Sequence, residues 1–270
     1  MTKENAKESM SHEFMLPADL SQQLSFIANR SGQSTSELVE QALRQFLKNQ
    51  KETGVVYLSA PVSALMKGFY EENTTVAEIK KYGDFGLGTF NDLDGEMVMV
   101  DGIVHQLGVD GTTHQVSDAV QTPFACVTFF KPTTVEEVCG ELDYAAFKNL
   151  LYRLIPSMNM FYALRIDGLF GRVRAWSIPK QENHRPISEV AAETFEYYDL
   201  EGTIVGFYTP DFIKSLSMAG YHLHFLTADR KHGGHLQYCE VKDARIGVQF
   251  VSKLILNMPM TIDYLTASLS

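Results

Sequence analysis

The 270-residue chain has 45% hydrophobic and 21% charged residues, the composition of a folded globular protein and not of a disordered or collagen-like one. No apolar run reaches the roughly 20 residues of a membrane span, and the polar start MTKENAKESMSHE lacks the apolar core of a secretory signal. A formal net charge of −10 excludes a broad phosphate-binding surface, which needs clustered Lys and Arg. These features point to a cytoplasmic protein. Cys126, Cys139 and Cys239 are odd in number and not closely paired, so they are expected to be reduced thiols acting as small buried hydrophobes.

Residues 1–52 form a first module. SHEFMLP alternates as a short strand, ended by Pro17, which removes a ladder donor. Leu20, Leu24, Ile27 and Ala28 then recur at helical spacing up to Gly32, placed just past the helix end. Ser34 and Glu37 stand at capping-box spacing before the apolar stripe Leu38, Val39, Ala42, Leu43, Phe46 and Leu47, which predicts a second helix. Strand, helix, turn and capped helix over residues about 11–50 resemble the ribbon-helix-helix family, whose dimers pair their strands into a ribbon. The resemblance implies a homodimer. DNA is the less favoured partner, because the outward side of the strand would carry Ser11, Glu13 and Met15, and Glu13 would repel phosphate. The module also holds six Lys or Arg against seven Asp or Glu. Residues 49–54, NQKETG, read as a linker.

Residues 53–270 form the second domain. Short β-branched and aromatic runs such as GEMVMVDGIVHQL, TPFACVTFF, FYALRIDGLFGRVRAWSI, LEGTIVGFYTP and GYHLHFLTA predict a mainly β domain. APVSALMKGFYEENTTVAEIKKYG and ELDYAAFKNLLYRLI carry helical spacing instead, so the class is mainly β with a few helices, α+β. The sharpest feature is GYHLHFLTADRKHGGHL. Strand side chains repeat every second residue, so His222 and His224 project from one face. Gly233 and Gly234 then deliver His235 at the start of a return strand, where a hairpin sets a third imidazole beside them. Three neutral imidazoles leave open coordination positions, the pattern of a catalytic zinc, and nickel, copper or iron suit the same donors. His232 competes as third ligand but precedes both glycines, and His12, His105, His114 and His184 are assigned ordinary structural roles.

The stretches VSALMKGFYEENTTVAEIKKYGDFGLGTFNDLDGEMV, YALRIDGLF, EGTIVGFYTP, GYHLHF and GGHL resemble the alpha-acetolactate decarboxylase family, in its order, over residues about 55–260. The resemblance implies a two-part, mainly β fold, zinc on His222, His224 and His235, and an acidic pocket residue at Glu96 in LDGE. It also places Thr89 and Trp176 at the substrate. The implied reaction takes 2-acetolactate or a related 2-hydroxy-3-oxo acid to acetoin or a similar acyloin plus CO2. Zinc would act as Lewis acid on the ketone oxygen, and Glu96 would move protons.

In two places the chain departs from the family pattern. Where the family has an arginine on the substrate carboxylate, alignment of GLFGRVRAWSIPKQ puts Trp176, which lacks a guanidinium's paired donors. Arg174, two residues earlier on the same face, is the candidate substitute as a catalytic group. The family's acidic residue from a C-terminal extension has no expected counterpart, since the sequence ends at Ser270 soon after LNMPMTIDYL. Two further functions therefore stand beside the decarboxylase: a ribbon-helix-helix regulator that senses a metal-chelating metabolite, and a lyase of the same fold with a changed substrate.

Overall fold

Reciprocal hydrogen bonds between Ser34 and Glu37 start the second helix as its spacing predicts. The Glu37 amide donates to Ser34 Oγ at 3.2 Å and the Ser34 amide to Glu37 Oε2 at 2.8 Å. The computed structural model describes residues 15–48, 52–182 and 184–268. They divide into two compact units, with the boundary after Lys51. In the smaller unit, α1 (Ala18–Ser31) ends where Gly32 takes a φ of 69°, and α2 (Thr35–Lys48) follows. Residues 11–14 of the expected strand lie outside the described residues, and Met15 to Pro17 have no regular structure. Leu20, Ile27 and Leu43 remain 47%, 51% and 46% exposed, because two short helices offer too little surface to cover an apolar stripe.

Glu52, Thr53 and Gly54 belong to the larger unit and not to a linker, since Thr53 bridges Phe129. There β1 (Val55–Leu58) precedes two short helices, α3 (Val62–Met66) and α4 (Val76–Ile79). The expected helical stretch is shorter than its periodicity suggests because Gly68 takes a φ of +96° against the Arg185 backbone, and Thr75 with Glu78 opens α4 as a new capping box. Next come β2 (Phe85–Thr89), β3 (Glu96–Val100), β4 (Ile103–Leu107), β5 (Thr113–Gln115) and β6 (Ala125–Thr128), then β7 (Thr134–Leu142) and helix α5 (Tyr144–Leu154). The long strands β8 (Phe161–Ser177) and β9 (Glu193–Thr209) lead to β10 (Gly220–Thr227), β11 (Gly233–Val251), β12 (Lys253–Leu256) and helix α6 (Ile262–Thr266).

The strands make a seven-stranded sheet in the order β12-β1-β6-β2-β3-β4-β5 and a five-stranded antiparallel sheet in the order β10-β9-β8-β11-β7. Among the described strand pairs of this sheet, β1–β12 is the parallel one. Strand β11 is 19 residues long, so its first residues also pair with β10 while later ones pair with β7, and the sheet coils.

Period-two alternation sorts the core. Phe85, Leu87, Val98 and Val100 of the first sheet pack with Phe161, Val205, Phe207 and Leu226 of the second. Met97 and Met99 face the other way, onto Val76 and Ile79. The second sheet's outer face, with Tyr162, Leu164 and Ile166, is covered by Phe147 and Leu151 of α5. This is the mainly β, two-part architecture expected. Cys126 and Cys239 are buried free thiols, whereas Cys139 is exposed because β7 is an edge strand with one hydrogen-bonded neighbour. Among the described residues no helix is long and apolar enough to cross a membrane.

Glu72, between α3 and α4, is only 6% exposed and accepts a 3.3 Å hydrogen bond from Thr261. Burial pushes its carboxyl from about 4.5 to about 7. The folded chain then holds more protons than the unfolded one between those values, so this group lowers stability as pH rises through them. Glu72→Gln should therefore be more stable than the parent at pH 8, by about 1–3 kcal/mol, and equal to it near pH 4, as read by urea unfolding at both pH values.

Candidate metal centre

The antiparallel register of β10 and β11 sets His224 directly opposite His235, and His222 follows two residues along the same face. All three ring pairs have centroids 4.9 Å apart, an equilateral arrangement whose ligand nitrogens lie within 4.8 Å of one another. Among the described residues no other His, Cys, Asp or Glu group of three could hold a metal ion. Tight glycines make the hairpin feasible: a Cβ on Gly233 would come within 2.4 Å of the Phe225 carbonyl oxygen, and one on Gly234 within 2.8 Å of the Trp176 oxygen. His232 is held elsewhere, with Nδ1 3.0 Å from the Gly111 oxygen, so the third member is His235, as the position of the glycines suggests.

Burial holds the three imidazoles neutral. It pulls His222 down to about 4 and His224 and His235 well below their ordinary value, with mutual repulsion adding to the effect on the latter two. His224 Nδ1 lies 2.8 Å from the Met97 carbonyl oxygen. The nitrogen must donate to that oxygen, so the Nε2 lone pair is directed at the cluster. His222 Nε2 stands 3.1 Å from His224 Nε2, near the ~3.4 Å edge expected of two imidazole ligands on a tetrahedral zinc with Zn–N about 2.0–2.1 Å. A neutral, buried, closely spaced and oriented nitrogen set fits a divalent transition metal.

Glu96 begins β3 on the same face as Val98 and Val100. It is 5% exposed, not a surface turn residue, and its Oε2 lies 3.4 Å from His224 Nε2. Burial pushes its carboxyl up to about 8, so it holds a proton at neutral pH; a cation beside it would pull that value down. Thr89 is the cross-strand partner of Glu96, and its hydroxyl donates to the Gly95 carbonyl at 2.6 Å, which pins the turn carrying Glu96.

Trp176 lies opposite His235 on β8 and stacks on its ring, 4.1 Å between centroids and 15° between planes. These residues line a cavity of about 260 Å³. Arg174 is not brought to it. Although it shares the face of Trp176, its guanidinium is bound to Glu196, its direct partner on β9, with Nη2–Oε1 2.6 Å and Nε–Oε1 2.8 Å. The expected substitution of Arg174 for a pocket arginine therefore fails in this structure. The charge partner Glu196 lay too far along the chain for strand periodicity to reveal the pair. Sequence reasoning also missed the cavity's apolar wall, with Leu65, Met66, Ile178, Ile187 and Met218, and the Met97 carbonyl that orients His224. Backbone groups leave no signal in residue type.

A family profile described as alpha-acetolactate decarboxylase matches residues 56–270. The alpha-acetolactate decarboxylase of Methylococcus capsulatus is 38% identical over 218 residues, 80% of this chain and 84% of that protein. The Bacillus subtilis protein of the same description is 34% identical over 235 residues, 85% of this chain and 92% of that protein. A crystal structure of the Bacillus subtilis enzyme superposes with a TM-score of 0.78 at 35% identity, covering 80% of this chain and 94% of that one.

One equivalent of zinc per chain should bind tightly enough to raise the thermal midpoint, since a ligand at a hundredfold excess over Kd adds about 2.7 kcal/mol. His235→Ala should lose both the bound metal and the shift, as metal analysis and melting with and without chelator will read.

Proposed function

The chain belongs to the alpha-acetolactate decarboxylase family, and on that premise we propose that it is a zinc-dependent carboxy-lyase converting 2-acetolactate to acetoin and CO2. The observation that carries this reading is the placement of a buried Glu96 carboxyl 3.4 Å from His224 in a cavity shared with His222 and His235. His222, His224 and His235 would hold the metal, which when bound would supply Lewis acidity to the substrate. Zinc is preferred on the donor set, and other divalent transition metals fit the same nitrogens.

The remaining chemistry is assigned to side chains. Loss of CO2 leaves an electron pair that must be quenched by one proton on carbon. The Glu96 carboxyl holds that proton at Oε2 and releases it to one face of the bound substrate, which sets the configuration of the acyloin. The apolar wall favours delivery of the proton by Glu96, which recovers it from solvent after product leaves. Thr89 orients the substrate through its oxygen lone pairs, because its hydrogen is committed to Gly95. Arg174, tied to Glu196, takes no part.

Glu96→Gln keeps the size and removes the transferable proton. Metal-loaded protein should form acetoin from 2-acetolactate, and the variant should bind metal equally while turning over about 10²–10⁴-fold more slowly. Metal analysis and an acetoin assay on the same preparation check this; no acetoin from metal-replete parent protein would sink the reading.

We also infer that the smaller unit dimerises the chain, as a ribbon-helix-helix module would. The half-exposed Leu20, Ile27 and Leu43 support this, since a 40-residue unit without disulfides or metal needs a second copy to complete a core. Sedimentation of the full chain should show a dimer that Ile27→Glu converts to monomer with the acetoin rate retained; a monomeric parent at micromolar concentration would refute it.

A further inference from the structure

Beyond His222, His235, Glu96 and Thr89, the side chains that line the cavity are apolar. Leu65, Met66, Ile178, Ile187, Met218 and Trp176 line it, and no lining residue is Lys or Arg. The indole of Trp176 stacks flat against His235, so it presents an apolar wall beside the histidine cluster. The two arginines on the same strand face, Arg172 and Arg174, are both engaged by Glu196. A charged substituent directed at this wall would be desolvated without a partner, whereas an apolar one would bury surface against it. The cavity of about 260 Å³ approaches the roughly 300 Å³ at which pockets accept drug-sized ligands. A substrate carrying only methyl groups leaves much of that wall uncovered.

We propose that Trp176 is a specificity-determining residue that selects 2-hydroxy-3-oxo acids whose carbon substituents are longer than methyl. The inference rests on the decarboxylase reading above for the reacting group and extends it to the substituents. Each buried methylene contributes about fourfold in affinity or in kcat/KM, so the preference grows with chain length until the cavity is filled.

Trp176 is the sole tryptophan of the chain, so at constant metal loading its emission reports changes at this wall. The experiment titrates the full-length, metal-loaded protein with neutral acyloins of increasing length: acetoin, 4-hydroxyhexan-3-one and 5-hydroxyoctan-4-one. Alongside it, kcat/KM is measured for 2-acetolactate and for the acids that carry ethyl and propyl groups in place of methyl. Kd should fall at least fourfold at each step, and kcat/KM should rise in parallel. Trp176→Ala should flatten the kcat/KM series, Trp176→Phe should keep most of it, and Trp176→Arg should invert it in favour of 2-acetolactate. A Kd that is flat or rises along the acyloin series in the parent protein overturns the proposal, even if a variant fails to fold. The two readings also fail differently. Turnover of 2-acetolactate with a flat binding series removes the role of Trp176 alone, and a falling Kd with no turnover of any acid removes the decarboxylase reading together with the proposal.

Discussion

The hairpin register between β10 and β11 is the constraint on which the site depends. His224 and His235 face each other as cross-strand partners, and His222 joins them because strand side chains repeat every second residue. A slip of one residue would send His222 and His224 into the apolar layer that now holds Leu223 and Phe225, and would expose those two in the cavity instead. Register is held by Gly233 and Gly234, where no Cβ fits, and by the long pairing of β9 with β10 over eight residue pairs. The histidine cluster is thus a consequence of sheet geometry, and it sits on paired strands.

Closing the second sheet over the first has an electrostatic consequence. It takes Glu96 and three imidazoles out of water at once, and the same desolvation acts in opposite directions on acid and base. The carboxyl is pushed up and the imidazoles are pushed down, so all four groups are neutral together at neutral pH. The β3 backbone contributes as well: Glu96 and the Met97 carbonyl are adjacent, and one strand thereby supplies both the buried carboxyl beside His224 and the group that orients its ring.

Where polar groups could have been supplied, the chain places hydrocarbon. Trp176 is stacked on the His235 ring, whereas Arg174 is held away from the cavity by Glu196, so on the proposed reading the reacting centre and the groups attached to it meet different surfaces. The first is built from nitrogen and oxygen donors. The second is built from shape and apolar area, which discriminate weakly per methylene but add over several.

Sequence alone determined the elements whose physics is local or periodic. The Ser34–Glu37 cap, the Gly32 helix end, the helix over α5 and the shared face of His222 and His224 all follow from residue type and spacing within a few positions. His235 was also legible, because the glycine pair marks a tight return. Only the tertiary structure decided which side chains meet across the two sheets. Glu96 is buried and not at an exposed turn because β3 lies under β10, and Arg174 is withdrawn because Glu196, 22 residues away, is its partner on β9. The apolar wall gathers residues from distant segments between Val62 and Met218. Such contacts depend on sheet order and strand pairing over long separations, and no local pattern of residues encodes them.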